Sequence, residues 1–368
     1  MDANQIKFTK TNSDEFYKTL RKRVNQYFKD KEISRYGNAN MVVKTIFMLS
    51  LYLVPFVLIL TFVEASWLSF VMWALMGFGM AGIGLSVMHD ANHSAYSKNK
   101  FVNVALGKVL YILGGVDMNW RIQHNVIHHT YTNVPGVDED IDAGGMLRFS
   151  PIQKMKSFHK YQHIYAWFLY GLMTFLWITT KDYHQLKRYS KSGLLETQGI
   201  TKSQMLATII ISKVFYYGVF MVLPLIFADV AWYITVLGFC TMHVIAGLTL
   251  ASIFQPAHVV PSSTFPVPDP SGNIDADWAV SQLMNTANFA GKARMFSWYV
   301  GGLNYQIEHH LFPNICHVHY RKISKIVRDT AFEYNLPYYS YKTFFQAVRA
   351  HGQMLHKLGT VEDAPGLH

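Results

Sequence analysis

Four long apolar runs interrupt an otherwise polar chain: Val43 to Val63, Trp67 to Met88, Leu206 to Phe227 and Val230 to Phe254. Each holds about 20 residues, the length an α-helix needs to cross the hydrocarbon core of a bilayer. They come in two pairs. The links, Glu64-Ala65-Ser66 and Ala228-Asp229, suit tight helical hairpins and carry no Lys or Arg, which predicts that both tips lie outside. Gly77, Gly79, Gly82 and Gly84 recur along the second run, where small residues let helices approach closely in lipid.

The polar stretches carry weaker periodicities. Residues 1–40 read as a cytoplasmic arm with a short amphipathic helix through Phe16, Leu20, Val24 and Phe28, crowded by Arg21, Lys22, Arg23, Lys29 and Lys31. No apolar core of a secretory signal follows the start. Between the hairpins two apolar pieces stand in mostly polar sequence, Phe101 to Val116 with Lys108 inside it, and Ile164 to Thr179. Near the end, residues 320–334 and 341–357 alternate apolar and basic positions at helical spacing, which predicts amphipathic helices. The expected fold is an all-α integral membrane protein, with four transmembrane helices in two hairpins and a helical cytosolic cap.

Composition supports that picture. Half of the chain (51%) is hydrophobic and only 15% charged, against about 25% in soluble domains. The formal charge of +10 suits anionic headgroups or an acidic partner, and it also follows from basic residues gathering on the cytoplasmic side. Cys240 and Cys316 lie in unlike surroundings and in no Cys-x-x-Cys motif, so no disulfide is expected.

The candidate chemistry lies in the 17 histidines. His89 and His93 are four apart, as are His124 and His128, with His129 beside them; His309 and His310 adjoin, three residues after Gln306. Residues four apart share a helix face, so each cluster can aim imidazoles at one point. One shared centre requires the clusters on one side of the membrane. Three apolar runs separate the second cluster from the third, so one must fail to cross. Ile164 to Thr179, short and rich in Tyr and Trp, is expected as a helix lying in the interface.

The clustered imidazoles are too many for one zinc ion, which usually takes four ligands, and two metals sharing them is the economical solution. Imidazole suits zinc, copper, iron and nickel alike. A metal site at the membrane face would meet acyl methylenes, which activated oxygen on iron can attack and acid–base chemistry cannot. Asp90, Asn92, Asn125 and Glu308 are expected to accept the second ring N–H of ligating histidines. The acidic string Asp138, Glu139, Asp140 and Asp142 reads as a solvated loop that could share this task. His159 and His163, also four apart, are expected at the surface, His243 in a buried hydrogen-bonded role, and His317 and His319 in solvated or structural ones.

His89-x3-His93, His124-x3-His128-His129 and Gln306-x2-His309-His310 resemble the three histidine boxes of the membrane fatty acid desaturases. His-Asp-x2-His, the neighbourhood from Asn119-Trp120 to Asn133, and Gln306-Ile-Glu-His-His-Leu-Phe-Pro are similar too. The resemblance covers residues 41–340, leaving 1–40 as the arm and 341–368 as a last cap helix and tail. A glutamine opening the third box marks the front-end branch, whose members insert a double bond between an existing one and the carboxyl end of the chain.

The resemblance implies two non-haem iron ions, dioxygen as oxidant, and a further ligand just after the fourth span, where His258 stands. Gln306 occupies a position where many relatives carry histidine, and direct ligation, a bridging water and hydrogen bonding all remain open to it. No His-Pro-Gly-Gly motif of a fused cytochrome b5 occurs, so electrons are expected from a separate donor, an acidic ferredoxin before a separate cytochrome b5. The basic cap favours an acyl-CoA substrate over an acyl chain on a membrane lipid. The histidine clusters and both termini are expected on the cytoplasmic side, and no nucleic acid is expected as partner. The alternatives are a diiron acyl or sphingolipid hydroxylase and, from another class, a zinc-binding membrane receptor or lipid hydrolase.

Overall fold

Local capping chemistry starts the long helices where the apolar runs begin. The computed structural model describes residues 6–9 and 14–361. After α1 (Asp14–Asp30), Asn38 Oδ1 accepts the Met41 N–H at the head of α2 (Ala39–Thr61), satisfying a donor that the first helical turn leaves open. The chain continues through α3 (Ser66–Asn92), α4 (Lys100–Leu113), α5 (Asp117–His128), α6 (Gln162–Gly171) and α7 (Asp182–Lys191). Thr201 and Gln204 then form a reciprocal capping box that opens α8 (Lys202–Phe227), and α9 (Trp232–His258) follows. Later helices include α10 (Trp278–Asn285), α11 (Gln306–Leu311), α12 (Tyr320–Glu333) and α13 (Phe344–Thr360).

Helices α2, α3, α8 and α9 are the four long and apolar enough to cross a membrane, with mean hydropathy between 1.8 and 2.2. Each coincides with an apolar run. Outward-facing side chains of α2 include Val42, Val43, Ile46, Phe47, Leu53, Val54 and Val57, an apolar surface that water would not tolerate and lipid would. Helices α4 and α5 would count as a fifth, broken span, bent by 109°. Gly114 ends α4 at φ +81°, a left-handed backbone that glycine adopts without strain. The stretch expected as an interfacial helix is divided into α6, a short helix Met173–Leu176 and a π-turn Trp177–Lys181, and is not among the four.

The chain forms two units. One comprises Asn38–Ile122 and Trp167–Ala251. Within it, glycines set how closely the long helices approach. A Cβ on Gly79 of α3 would stand 2.7 Å from the backbone nitrogen of Tyr52 in α2, and one on Gly77 would stand 2.7 Å from the Met242 carbonyl of α9. Gly238 of α9 lies under the ring of Trp73. Lys213, the one awkward charge in α8, is buried and donates to the carbonyls of Gly114 (2.6 Å) and Trp177 (2.7 Å) and to Asp182 Oδ2 (2.5 Å). A cation taken from water needs such complete pairing. His243 is buried between Tyr216 Oη (2.8 Å) and Thr174 Oγ1 (3.0 Å), the hydrogen-bonded role expected of it.

The other unit comprises Met1–Gly37, Gln123–Ala166 and Ser252–His368. Its apolar core joins Phe16, Leu20 and Val24 of α1 to Ala279 and Leu283 of α10, Ile307 and Leu311 of α11, and Ile323 and Val327 of α12. The apolar stripe expected in the N-terminal arm is therefore part of this core. Strands are two residues long: Lys7–Phe8 runs parallel to Asn273–Ile274, and Asn288–Phe289 to Ser340–Tyr341. Arg148, fully buried, donates to the carbonyls of Leu358 and Val361 at the end of α13. His159 is not at the surface: it is buried, its Nδ1 accepting the Lys156 N–H and its Nε2 donating to the Gly145 carbonyl.

Gly79→Val should drive a side chain into the α2 backbone, which cannot yield. A loss of about 1–3 kcal/mol is expected as a lower melting temperature of the detergent-purified protein. Gly218→Ala, in α8 with nothing within 4 Å of its Cβ position, should leave that temperature unchanged or slightly raised; equal effects of the two would refute the close packing.

Candidate metal centre

The second histidine cluster sits on a π-helical turn, Ile122–His128, at the end of α5. A π turn hydrogen-bonds five residues apart, and the N–H of His129 donates to the carbonyl of His124 at 3.0 Å. The wider turn lets His128 and His129 both face His124, with ring centroids 5.3 and 4.8 Å away. An α-helical turn would favour the first over the second. His309 and His310 lie on α11, and His258 is the last residue of α9.

These side chains converge. His124, His128, His129, His258, His309 and His310 are each at most 6% exposed. His129 Nε2 stands 3.3 Å from His124 Nε2 and 3.0 Å from His309 Nε2. Ring nitrogens of His128, His258 and His310 lie within 4.8 Å of one another, and so do those of His129, His309 and His310. His310 thus belongs to two neighbouring groups. Both ring nitrogens of His258 are buried without a hydrogen bond of ordinary geometry. Buried polar atoms left this way are costly, and lone pairs aimed at one another are relieved by a cation between them. The donor set fits two metal ions of the imidazole-binding class.

Other side chains hold the rings in place. Asp138 spans His128 Nδ1 with both oxygens, at 3.1 and 3.0 Å, and Asp140 Oδ2 lies 3.3 Å from the same nitrogen. Burial alone would disfavour charge on His128, but Asp138 and Asp140 outweigh it and raise its pKa to about 9. The same negative potential favours a metal cation as it favours a proton. His310 Nδ1 meets Gln282 Oε1 at 2.8 Å and Thr132 Oγ1 at 3.2 Å, and His309 Nδ1 meets Tyr320 Oη at 3.2 Å. Each contact ties down one ring nitrogen and leaves Nε2 for the centre. Asn133, in the left-handed region at φ +60°, receives a carboxylate oxygen of Asp138 on its N–H (2.8 Å) and donates its amide to the His258 carbonyl (2.9 Å).

The residues expected to support the ligands are distributed differently. Glu308 is buried, but it accepts from Asn288 Nδ2 (2.8 Å) and Tyr338 Oη (2.9 Å) rather than from a histidine. Burial pushes its carboxyl up to about 7 against those hydrogen bonds. Asn92 turns its amide toward Gly107 O and Met88 Sδ, and Asn125 is half-buried beside His124. Asp90 Oδ1 lies 3.8 Å from His89 Nδ1. In the unit that holds them, His89 and His93 have ring centroids 4.8 Å apart, and both pack edge-on against Trp120. Asp138 was legible only as one acid among several, and Gln282 and Tyr320 gave no signal. His317 and His319, expected in solvated or structural roles, are buried, with His319 Nε2 on the Tyr36 carbonyl at 3.1 Å.

The model of the fatty acid desaturase family matches residues 65–342, a stretch containing every clustered histidine and His258. The chain is 33% identical over 360 residues to an sn-1 linoleoyl-lipid 6-desaturase of Arthrospira platensis, covering 97% of this chain and 96% of that one. It is 32% identical over 374 residues to the sn-1 linoleoyl-lipid 6-desaturase of a Synechocystis strain, covering 98% and 99%. An acyl-lipid (8-3)-desaturase of Physcomitrium patens is 34% identical over 362 residues, covering 97% of this chain and 74% of that protein.

Asp138→Asn keeps the shape of the side chain and removes its charge. Apparent metal affinity, measured by competition with a chelator, is expected to fall by roughly 10–100-fold. Equal retention in the variant and the parent would mean that His128 does not need Asp138 to act as a ligand.

Proposed function

The chain belongs to the fatty acid desaturase family, and from that premise we propose that it desaturates the acyl chain of a membrane lipid at a front-end position, at a pair of iron ions. As a desaturase it is an oxidoreductase. The observation that carries the proposal is the pair of three-imidazole groups sharing His310, buried in one unit of the chain. The ions would be held by His124, His128, His129, His258, His309 and His310. His89 and His93 complete the ligand set, and Gln306 serves as a hydrogen-bonding neighbour. When bound, the iron pair supplies activation of dioxygen strong enough to break unactivated C–H bonds.

The chain's own residues orient and protect. Asp138, Gln282 and Tyr320 hold the imidazoles in one tautomer and one direction. Burial of the cluster keeps bulk water from a reactive oxidant. The basic cap by itself favours a CoA thioester, but relatives that match 97% or more of this chain are named for linoleoyl-lipid and acyl-lipid substrates, which supports a lipid-linked acyl chain. The glutamine at position 306 supports a new double bond on the carboxyl side of an existing one. The electrons come from a separate carrier, a ferredoxin being favoured by the basic polar face. The histidines and both termini belong on the cytoplasmic side; the terminal residues 1–5 and 362–368 lie outside the described residues.

In a host fed linoleate, the protein should produce a new double bond on the carboxyl side, located by mass spectrometry and present in intact glycerolipids before the acyl-CoA pool. His128→Ala and His309→Ala should abolish it. Product appearing first as acyl-CoA would overturn the lipid-linked substrate, a methyl-side bond would overturn the front-end position, and activity in either variant would overturn the site.

A further inference from the structure

Helix α1 has two unlike faces. Phe16, Leu20 and Val24 are buried in the core, while Lys18, Arg21, Lys22 and Lys29 are exposed and line a shallow groove with Asn25 and Gln26. Arg23 leaves this patch for Glu333, which its two Nη atoms meet at 2.6 and 3.1 Å. Among the described residues, Arg21, Lys22 and Lys29 form no ion pair. Arg21, Lys22 and Lys29 therefore present exposed positive charge that no carboxylate among the described residues pairs.

Directly below it, aromatic side chains lead inward. Tyr17 is half-buried on the same helix, near enough to Arg21 for the guanidinium to act on its phenol, whose pKa burial raises and Arg21 lowers. Its Oη donates to the carbonyl of Leu311, the residue after His310, at 3.1 Å. Its ring packs edge-on to Trp278, centroids 5.6 Å apart, and the Trp278 Nε1–H donates to the carbonyl of His129 at 3.1 Å. Packed and hydrogen-bonded atoms thus lead from the helix that carries the basic surface to the backbone of His129 and to that of Leu311, the residue after His310.

We propose that the basic face of α1 docks an acidic one-electron carrier protein, and that Tyr17 and Trp278 are the packed medium through which its electrons reach the centre at His129 and His310. The proposal rests on the desaturase reading, which needs external electrons. Reducing dioxygen to two waters takes four electrons and four protons. Two of each come from the acyl chain as its adjacent methylenes become a double bond. The carrier is oxidised by one electron on each of two visits, and water supplies the other two protons. Tyr17 and Trp278 are neither oxidised nor reduced overall. Opposite charge gathers such a partner and fixes its orientation. An anionic lipid surface would also suit the cations, but it has no use for an aromatic path beneath them.

The test uses the full-length protein in phosphatidylcholine nanodiscs and a plant-type [2Fe–2S] ferredoxin as probe. Binding is measured by biolayer interferometry at low and high salt, and oxidation of reduced ferredoxin by stopped flow with substrate and oxygen present. Lys18→Glu/Arg21→Glu/Lys22→Glu should weaken binding at least about tenfold and flatten its salt dependence, whereas Lys187→Glu/Lys191→Glu, a reversal on exposed residues of α7, should bind as the parent does. Trp278→Leu should bind normally and oxidise ferredoxin several-fold more slowly with unchanged metal content and melting temperature, and Trp278→Phe should keep most of the rate. Parent-like binding by the triple variant, or loss of binding only to phosphatidylglycerol vesicles, overturns the docking site; parent-like oxidation by Trp278→Leu overturns the path. Those outcomes leave a parent protein that still makes double bonds. A parent that makes none with reduced ferredoxin or reduced cytochrome b5 overturns the desaturase reading, and this proposal with it.

Discussion

Imidazoles crowded into a dry space cannot satisfy one another. Between two Nε2 atoms about 3 Å apart there is room for one proton, and His129 Nε2 faces two such neighbours, His124 and His309. Adding protons would place like charges side by side in a buried site, which desolvation forbids. A shared multivalent cation removes the conflict, because each lone pair then has a common electrophile. His310 belongs to two such groups, a donor set that two ions would satisfy more fully than one.

The surrounding structure serves that constraint. A π turn in α5 brings His128 and His129 to the same side. The long apolar helix α9 carries His258 as its final residue, so an imidazole is delivered where apolar sequence ends. Asp138 places negative charge beside His128 and is itself held by the N–H groups of Asn133 and Asp140. Glu308, two residues before His310, is kept out of the ligand set by Asn288 and Tyr338. That tether fixes α11 against the main chain around Asn288, whose Oδ1 also accepts the Ile307 N–H.

The other unit solves a different problem, packing apolar helices where hydrophobicity gives no direction. Glycines at 77, 79 and 238 give the close approach that dispersion requires. The one buried cation of α8, Lys213, has a carboxylate and two carbonyls around it. Family membership identifies the chain as a desaturase, while these contacts explain how this unit packs into a rigid apolar scaffold.

Much of this was legible in the sequence because the signals are local. Twenty-residue apolar runs, an apolar stripe from Phe16 to Val24, and histidines four apart declare themselves within a few turns of chain. What supports the histidines does not. Gln282 and His310 meet across 28 positions, His128 and Asp138 across ten, and no periodicity marks such pairs. Asp138 looked like any solvated acid, and His159 like a surface residue, because their burial is a property of neighbours far along the chain. Chain order alone reveals which residues are able to bind metal and which helices suit lipid; which neighbours hold those imidazoles still follows from the fold, since orientation in a buried site depends on contacts that local sequence does not encode.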